Sequence, residues 1–356
     1  MKIGTTKLIA ENIAPTNVKN LAVFDGDRKI CDVAIDSMRL PSDIGEKLYS
    51  FGLLSDVHCN TASGNLNSSK FDRALAYFES QGVDFCCVSG DLTNIGFYQS
   101  ADATEVYTNQ FAEYKRICDL HQNLPVYECC GNHESYYGRS VTENLDLLEQ
   151  YTGQGLTYTM SWGDDVFVFV GQSQGSYPMS DADFAWLEET LEANKNKRCF
   201  VFIHPYVRPS GSISDTGDPL RLHKEPLFTY WGSTKTNDFI ALMSQYPNAV
   251  LFHGHSHMDF ENQFVVPNAN YSTVLGFKSV HIPSTAYTQN VSTGAIVENK
   301  SGAQGYICDV YAGYIVLKGY DFTKNEPVPI AQYCIDTTVQ TVTAETFIDS
   351  TGKIMT

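Results

Sequence analysis

The chain has 356 residues and a formal net charge of −17, with 43% hydrophobic and 18% charged residues. This composition is typical of a soluble globular protein with a substantial core, and it excludes a long disordered chain. A long nucleic acid is a disfavoured partner, because the chain is acidic and has no basic stripe. The one small basic cluster, Lys195, Lys197 and Arg198, is interpreted as the solvated end of a helix.

No apolar run approaches the roughly 20 residues of a membrane-spanning helix. The first residues, MKIGTTKLIAENIAP, lack the apolar stretch of a signal peptide. We therefore expect a cytoplasmic protein with no membrane partner. Ten cysteines without any CxxC spacing favour reduced, mostly buried thiols over disulfides or a zinc–thiolate site.

The N-terminal part of the chain differs from the rest. Residues 1–46 are predicted to form a small β appendage, because two strand-like runs flank Asp25-Gly26, a dipeptide typical of hairpin turns. The appendage is either an edge hairpin of the main domain or an attachment or oligomerisation element, the latter allowing a homo-oligomer. Residues 47–335 are predicted to be the main domain, and 336–356 a polar, Thr-rich tail.

From Leu48 onward, apolar strands alternate with helices, which is the pattern of an α/β fold. The predicted helices are one capped by Ser68 or Ser69 and ending near Gln81, one over about 101–120, and one from a Ser180–Asp183 capping box to about Asn194. The predicted strands lie in LYSFGLLS, VDFCCVS, LPVYECC, DVFVFVGQ, CFVFI and AVLFH. Two later runs, KSVHIPS and GYICDVYAGYIVLKGYDF, are expected to form antiparallel strands.

Two motifs with metal-binding side chains follow the first two strands. In Asp56-Val57-His58, residues i and i+2 point the same way if the segment is extended, so both side chains can converge on one cation. In Gly90-Asp91, the glycine permits a tight turn and leaves room around the carboxylate, which can then bridge two metals. Taken alone, each of these patterns is common.

A third motif, Gly131-Asn132-His133-Glu134, follows the next strand. Asn132 offers a neutral oxygen ligand, and His133 points elsewhere, toward a substrate. A simple turn would not need the histidine and the glutamate. The motif is therefore more specific than the first two.

Histidines end two further strands. His204 follows CFVFI, and Gly254-His255-Ser256-His257 follows AVLFH. His255 and His257, two residues apart, share one direction if the backbone is extended, whereas His253 is interpreted as structural. Ligands of open α/β sheets bind outside the carboxyl ends of strands. All five motifs occupy such positions.

In this order, the five motifs closely resemble the calcineurin-like metallophosphoesterase superfamily over about residues 48–320. The resemblance implies an α/β fold, a β-sandwich of mixed sheets flanked by helices. It also implies two metal ions bridged by Asp91. The implied ligands of the first metal are Asp56, His58, Asp91 and His257, and those of the second are Asp91, Asn132, His204 and His255. The donor types suit Mn, Fe or Zn without choosing among them.

The resemblance further implies a reaction. A phosphate ester would be hydrolysed by in-line attack of a metal-bridging hydroxide. His133 would donate a hydrogen bond or a proton to the ester, and Glu134 would orient His133. The substrate-binding candidates are Asn94, Tyr136, Arg208, Arg221 and His223. The segment 206–231 contains three of these candidates and is either a phosphate-gripping loop or a flexible solvent loop.

The motif order resembles the branch that contains cyclic-nucleotide-type phosphodiesterases, which favours a small phosphodiester as substrate. The alternatives are a phosphomonoesterase and a nuclease of the same superfamily. A further alternative is a non-catalytic structural or interaction protein of a phage type. That protein would be virion-associated, with residues 1–46 as its docking element.

Overall fold

The structure is a computed structural model. It describes residues 7–9, 20–25, 28–34, 40–42, 44–62, 64–95, 104–135, 141–172, 179–205, 207, 233–261, 271–272, 276–292, 295–338, 347–348 and 354–355.

Five α-helices and nineteen β-strands are present among the described residues. The helices are α1 (Asn67–Ser80), α2 (Thr104–Leu120), α3 (Val141–Thr152), α4 (Asp181–Ala193) and α5 (Ser233–Ser244). The strands are β1 (Lys7–Ile9), β2 (Asn20–Asp25), β3 (Arg28–Ala34), β4 (Tyr49–Leu54), β5 (Phe85–Ser89), β6 (Val126–Cys129), β7 (Thr157–Trp162), β8 (Asp165–Val170), β9 (Cys199–Phe202), β10 (Ala249–His253), β11 (Tyr271–Ser272), β12 (Lys278–His281), β13 (Thr288–Ser292), β14 (Ala295–Asn299), β15 (Gln304–Val310), β16 (Tyr314–Asp321), β17 (Glu326–Asp336), β18 (Phe347–Ile348) and β19 (Ile354–Met355).

The first large sheet has the strand order β17-β16-β15-β4-β5-β6. Its strands β4, β5 and β6 run parallel, and β15, β16 and β17 are added antiparallel to them and to each other. The sheet is therefore mixed. The predicted antiparallel pairing within GYICDVYAGYIVLKGYDF, which became β15 and β16, is confirmed.

The second large sheet has the order β11-β12-β10-β9-β8-β7. Four central strands, β12, β10, β9 and β8, are parallel, and the edge strands β11 and β7 are antiparallel. The prediction of an antiparallel strand in KSVHIPS is wrong for its main contact, since β12 runs parallel to β10. The chain between β10 and β12 is long enough for the crossover that parallel pairing requires.

The two sheets pack face to face around an aromatic core. Strands of both sheets contribute fully buried side chains to it, among them Phe51, Phe85, Phe167, Phe200 and Phe252. Helices α1, α2 and α3 cover the outer face of the first sheet, and α4 and α5 cover that of the second. The predicted fold class, a sandwich of mixed sheets flanked by helices, is confirmed.

The two predicted helix caps have different outcomes. Helix α4 begins with the predicted capping box, in which Ser180 and Asp183 satisfy each other's backbone N–H groups. Helix α1 begins at Asn67 with Leu66 at the cap and no side-chain cap bond. The prediction of a Ser68 or Ser69 cap is wrong. The Ser68 hydroxyl bonds with the backbone of Asn60, and the Ser69 hydroxyl donates to the carbonyl of Leu66.

Two smaller sheets involve the chain ends. Strands β1, β2 and β3 form an antiparallel three-stranded sheet, with β2 and β3 flanking the predicted Asp25-Gly26 turn. Strands β18 and β19 pair antiparallel within the predicted tail. The division of the chain at residues 46 and 335 stays a prediction.

The described cysteines and helices agree with the composition. Nine cysteines have described side chains; all nine are free thiols, and seven of them are buried. No helix in the described part of the chain is long and apolar enough to cross a membrane.

Arg198 belongs to a buried ion pair rather than to a solvated helix end. Its guanidinium donates to both oxygens of Asp165, at 2.6 and 3.1 Å, and to the carbonyl of Tyr311 at 2.7 Å. Tyr49 donates to the same carboxylate at 2.5 Å. The side chains of Arg198 and Asp165 are 9% and 8% exposed. The sequence-based interpretation is therefore wrong for Arg198, because a fork of donors lets it join β8 to the β15–β16 turn.

The Arg198→Met variant is expected to lose about 3 kcal/mol of unfolding free energy, because it leaves the buried Asp165 carboxylate without its cation. Urea unfolding followed by circular dichroism measures the change. Lys195→Met is the matched control, since the Lys195 side chain is 56% exposed and pairs only with exposed Glu192. An equal loss of unfolding free energy in the two variants would show that the Arg198–Asp165 ion pair does not stabilise the fold.

Candidate metal centre

Five loops at one edge of the sandwich carry the predicted ligands. They follow β4, β5 and β6, which are neighbours in the first sheet, and β9 and β10, which are neighbours in the second. Because these strands are parallel within each sheet, their carboxyl ends lie together. The fold thus gathers motifs that are about 200 residues apart in sequence, as the contact between His58 and His257 shows.

The structure brings most of these side chains into two buried groups that share one carboxylate. Within each group the ligand atoms all lie within 4.8 Å of one another. The first group consists of Asp56, His58, Asp91 and His257, and the second of Asp91, His204 and His255. Such carboxylate and imidazole sets can hold divalent transition metals.

The shared carboxylate divides its two oxygens between two tasks. Asp91 Oδ1 accepts a hydrogen bond from the backbone N–H of His133 at 3.0 Å. Asp91 Oδ2 lies 3.1 Å from His204 Nε2, 3.7 Å from His58 Nε2 and 3.8 Å from His133 Nε2. One oxygen therefore holds a loop in place while the other faces the histidine rings.

Asp56 follows the same division. Its Oδ2 accepts from the Ser55 hydroxyl at 2.6 Å and from the His255 backbone N–H at 2.9 Å. Its Oδ1 lies 2.9 Å from His257 Nε2 and 3.8 Å from His204 Nε2. The bonded oxygen orients the carboxylate, so the other oxygen is presented to the centre of the group.

Backbone carbonyls set the orientation of two histidine rings. His204 Nδ1 lies 2.7 Å from the carbonyl of Ser89, and His257 Nδ1 lies 3.1 Å from that of Tyr287. A carbonyl only accepts, so each Nδ1 carries a proton, and Nε2 is the nitrogen of each ring that can bind a metal. Metal-ligating histidines are commonly held in this way.

The donor set fits a cation. Asp56 Oδ1, Asp91 Oδ2 and His204 Nε2 are fully buried and, apart from the ion-pair contacts among the cluster side chains themselves, make no hydrogen bond to the described residues. Buried polar atoms are nearly always bonded, so a convergent group without partners calls for an explanation. Two positively charged ions at the centres of the groups would satisfy all of them.

The electrostatics also favour bound cations. Burial alone would raise the pKa of Asp56 and Asp91, but nearby histidines outweigh it and hold both pKa values well below the usual range, chiefly His257 at Asp56 and His204 at Asp91. Burial together with His133 lowers the pKa of His58 well below its ordinary value. The carboxylates are therefore ionised and His58 is neutral at pH 7, which are the forms that bind metals. Burial would lower the pKa of His204, but Asp91 and Asp56 outweigh it and raise this pKa to about 9, so His204 releases a proton when it binds a metal.

The backbone at the site is strained. Five ligands have φ between 44° and 69°: Asp56, His58, Asp91, His255 and His257. Asn325 is the one other non-glycine residue with positive φ in the described ranges. Left-handed conformations cost about 1–2 kcal/mol for such residues. The expectation of extended motifs, from which the i, i+2 convergence was argued, is wrong: left-handed turns aim these side chains.

Gly131 packs against the shared carboxylate. A Cβ at this position would lie 2.2 Å from Asp91 Oδ1 and 2.4 Å from the Asp91 backbone nitrogen. The backbone atom cannot move aside without shifting the metal-binding loop. Only a glycine therefore fits between β6 and Asp91.

Gly131→Ala is expected to lower kcat by about 10²-fold, because displacing a reacting group by about 1 Å has an effect of that size. Initial rates with a nitrophenyl phosphodiester measure it. Gly155→Ala is the matched control, since a Cβ there meets nothing within 4 Å. Equal rates for the two variants would show that the contact with Asp91 is unimportant.

A scan against protein-family models matches residues 49–259 to the calcineurin-like phosphoesterases. The match spans more than half of the chain and includes all five motifs. The chain belongs to the calcineurin-like phosphoesterase family. As a member, it is a metal-dependent phosphoesterase, and its two buried clusters are consistent with a dinuclear metal site.

Comparisons of structure agree with the family fold. A dimetal phosphatase from Danio rerio has 13% identity and a TM-score of 0.56, and the match covers 82% of this chain and 100% of that one. An anchor of the inner membrane complex of Plasmodium has 14% identity and a TM-score of 0.47, with 82% and 89% covered. At such identities the first likeness shows the fold alone, and the second is too weak to argue from. No match was found among curated protein sequences.

Other predicted site residues of this calcineurin-like phosphoesterase have varied positions. Asn132 is buried at the end of β6, and its place among the ligands stays a prediction. The Asn94 backbone N–H donates to the carbonyl of Cys59 and to the side-chain oxygen of Gln110. His253 lies outside both clusters and contacts Ser279 at 3.1 Å. Four substrate-binding candidates lie outside the described residues: Tyr136, Arg208, Arg221 and His223.

Glu134 ties two loops of the site together. Its carboxylate accepts from the backbone N–H and hydroxyl of Thr93, at 2.8 and 2.9 Å, and from the backbone N–H of Gly131 at 2.8 Å. These bonds join the loop after β5 to the loop after β6. The expected part of Glu134 in orienting His133 stays a prediction.

Sequence reasoning missed the residues that hold the ligands. Ser55 and Ser284 bond to Asp56 through its side chain and its carbonyl respectively, and the carbonyls of Ser89 and Tyr287 orient histidines. The Tyr287 ring also packs on the ring of His257, with centroids 4.3 Å apart. Serines next to Asp56 and before Gly90 were visible in the sequence, but the Tyr287 contact depends on the tertiary fold.

Proposed function

We propose that this phosphoesterase hydrolyses a small phosphodiester. The observation that carries the proposal is the pair of buried clusters sharing Asp91, with the His133 ring at their edge. The His133 side chain is 17% exposed, whereas that of Asp91 is fully buried. The cluster histidines are 0–4% exposed, so His133 is the most accessible of the described histidine rings at the site.

The residues take distinct parts in the proposed reaction. Two cations held by the clusters would neutralise phosphate oxygens and lower the pKa of a water molecule. The Asp91 carboxylate is kept between the two clusters by the hydrogen bond that its Oδ1 accepts from the backbone N–H of His133. His133 donates a proton or a hydrogen bond to the oxygen of the leaving group, which contributes about 10²–10⁴ in rate. Asn132 is proposed to complete the second cluster.

The charge of the site favours a diester over a monoester. A monoester dianion carries one more negative charge, which cationic side chains usually balance. The two buried lysines of the described chain point elsewhere: Lys70 donates to the carbonyl of Ala286, and Lys278 to that of Pro247. In the described part of the site, the groups that can balance the charge of a phosphate are therefore the metals and the histidines, without a lysine.

We expect bis(nitrophenyl) phosphate to be hydrolysed with higher kcat/KM than nitrophenyl phosphate in the presence of Mn²⁺. Steady-state rates at 400 nm provide the comparison. A higher kcat/KM for the monoester would replace the diester proposal with a phosphomonoesterase. Cleavage of supercoiled DNA at a comparable rate would instead favour a nuclease, which the net charge of −17 argues against.

Three further points stay predictions. The metals are proposed to be Mn, Fe or Zn, which suit carboxylate and imidazole donors. Residues 1–46 are proposed as an attachment or oligomerisation element beside a catalytic unit of residues 47–335, with 336–356 as a tail. The protein is proposed to be cytoplasmic. Gel filtration of a variant that starts at residue 47 would test the second point through its size and activity.

A further inference from the structure

A short segment after β12, residues 284–287, supports the first metal cluster. The backbone carbonyl of Asp56 accepts one hydrogen bond from a hydroxyl of this segment at 3.0 Å and one from a backbone N–H of it at 3.1 Å. The Tyr287 carbonyl lies 3.1 Å from His257 Nδ1 and orients that ring. The segment therefore fixes one carboxylate and one imidazole of the same cluster.

A buried lysine of α1 holds this segment. Lys70 is 5% exposed. Its ammonium donates to the carbonyl of Ala286, to that of Lys300 at 2.5 Å and to that of Gly302 at 3.3 Å. An ammonium has three donors, so these carbonyls use all of them. Because Ala286 precedes Tyr287 in the chain, Lys70 fixes the peptide group directly before the carbonyl that orients the cluster imidazole.

The first residue of the same helix contacts a further ligand. The side-chain amide of Asn67 donates to the backbone carbonyl of His58 at 3.1 Å. Asn67 and Lys70 are three residues apart, so their side chains lie on one face of the helix. The first turn of α1 therefore joins the loop that carries His58 to the segment 284–287.

The histidines of the second cluster are supported from other parts of the fold. His204 is oriented by the carbonyl of Ser89, the last residue of β5, at 2.7 Å. The backbone N–H of His255 donates to Asp56 Oδ2 at 2.9 Å. A change in the first turn of α1 is therefore expected to act mainly on the first cluster.

We propose that Lys70, together with Asn67, is a positioning residue that sets the affinity of the first cluster for its metal and leaves that of the second nearly unchanged. Residues that orient metal ligands typically contribute about 10–100-fold to metal affinity. The inference rests on the proposed occupancy of both clusters by metal ions. It is independent of the ester class that the centre hydrolyses.

Equilibrium dialysis of the full-length protein against increasing MnCl₂, with bound metal measured by mass spectrometry, tests the proposal. The wild type is expected to bind two Mn²⁺ ions. Lys70→Met is expected to bind one Mn²⁺ as tightly as the wild type does and the other at least about tenfold more weakly. Asn67→Ala, which removes only the amide bond to the His58 carbonyl, is expected to weaken the same ion.

Lys278→Met is the matched control. Lys278 is likewise a buried lysine that donates to a backbone carbonyl, since it is 3% exposed and bonds to Pro247 at 2.7 Å. Urea unfolding of both variants measures how far each substitution destabilises the fold. The control is expected to bind both Mn²⁺ ions like the wild type, even where its stability falls as much as that of Lys70→Met.

The position of the remaining ion is the second readout. Anomalous maps of Lys70→Met crystals, at an Mn²⁺ concentration that fills only the tighter site, are expected to show one peak beside His204 and His255. A peak among Asp56, His58 and His257 would overturn the proposal.

Four binding results would also overturn it. They are tight binding of both ions by Lys70→Met, equal weakening of both ions, the same weakening in Lys278→Met, and, if Lys70→Met does not fold, tight binding of both ions by Asn67→Ala. A wild type that binds no Mn²⁺ would overturn the metal centre itself, and this inference with it.

Discussion

Asp91→Asn is expected to lower kcat/KM for phosphodiester hydrolysis by at least about 10³-fold, the upper end of the effect of losing one charge-stabilising group. The reason is that Asp91 belongs to both clusters, and its Oδ2 faces three histidine rings within 3.8 Å. An amide offers one neutral oxygen where the carboxylate offers two charged ones. Both metals are therefore disturbed at once.

Steady-state rates and metal content by mass spectrometry test this prediction together. Asp181→Asn is the control, since the Asp181 side chain is 81% exposed and pairs only with Lys235. The control is expected to keep its activity and its metals. A fully active Asp91→Asn variant with both metals bound would rule out a bridging role for this carboxylate.

His133→Asn is expected to lower kcat by about 10²–10⁴ without loss of metal. The His133 ring packs edge-on against His58 at a centroid distance of 4.5 Å, but His133 belongs to neither cluster. If the ring protonates the leaving oxygen, the loss is larger for a poor leaving group such as phenol than for nitrophenol.

A series of aryl methyl phosphodiesters measures this dependence on the leaving group. In the wild type, the rate is expected to vary little with the pKa of the leaving phenol, and in His133→Asn it is expected to fall steeply as that pKa rises. Parallel lines for the two proteins would show that His133 does not act on the leaving oxygen. Loss of metal from the variant would instead assign the ring a structural role.

The arrangement of the site was largely predictable from the sequence. Each motif follows a strand, and the carboxyl ends of parallel strands meet at one edge of a sheet. This explains why Asp56, Asp91 and His204 lie together although they are far apart in the chain. The local geometry was not predictable in the same way, since the motif residues adopt left-handed conformations rather than the extended ones from which convergence was argued.

Contacts between distant segments account for the other differences. Arg198 was interpreted as part of a solvated helix end, but its partner Asp165 is 33 residues away. Ser68 has the right residue type for a helix cap, yet Asn60 takes its hydroxyl. Such outcomes depend on which groups the folded chain brings together, and periodicity and propensity carry no information about that.

The sequences of β7 and α3 contain patterns typical of the elements that they form. In β7 the apolar side chains of Tyr158, Met160 and Trp162 alternate with polar residues and pack on the inner core. This is the period of a strand with one buried face. Helix α3 likewise buries Leu147 and Leu148 against α2 and the first sheet. Both elements extend the frame that supports the metal-binding loops.

Diffraction from crystals soaked in Mn²⁺, with anomalous maps collected at the manganese edge, tests the central claim most directly. Two peaks are expected, on either side of Asp91. One should lie among Asp56, His58 and His257, and the other beside His204 and His255. A single peak, or peaks away from Asp91, would contradict a dinuclear centre bridged by this carboxylate.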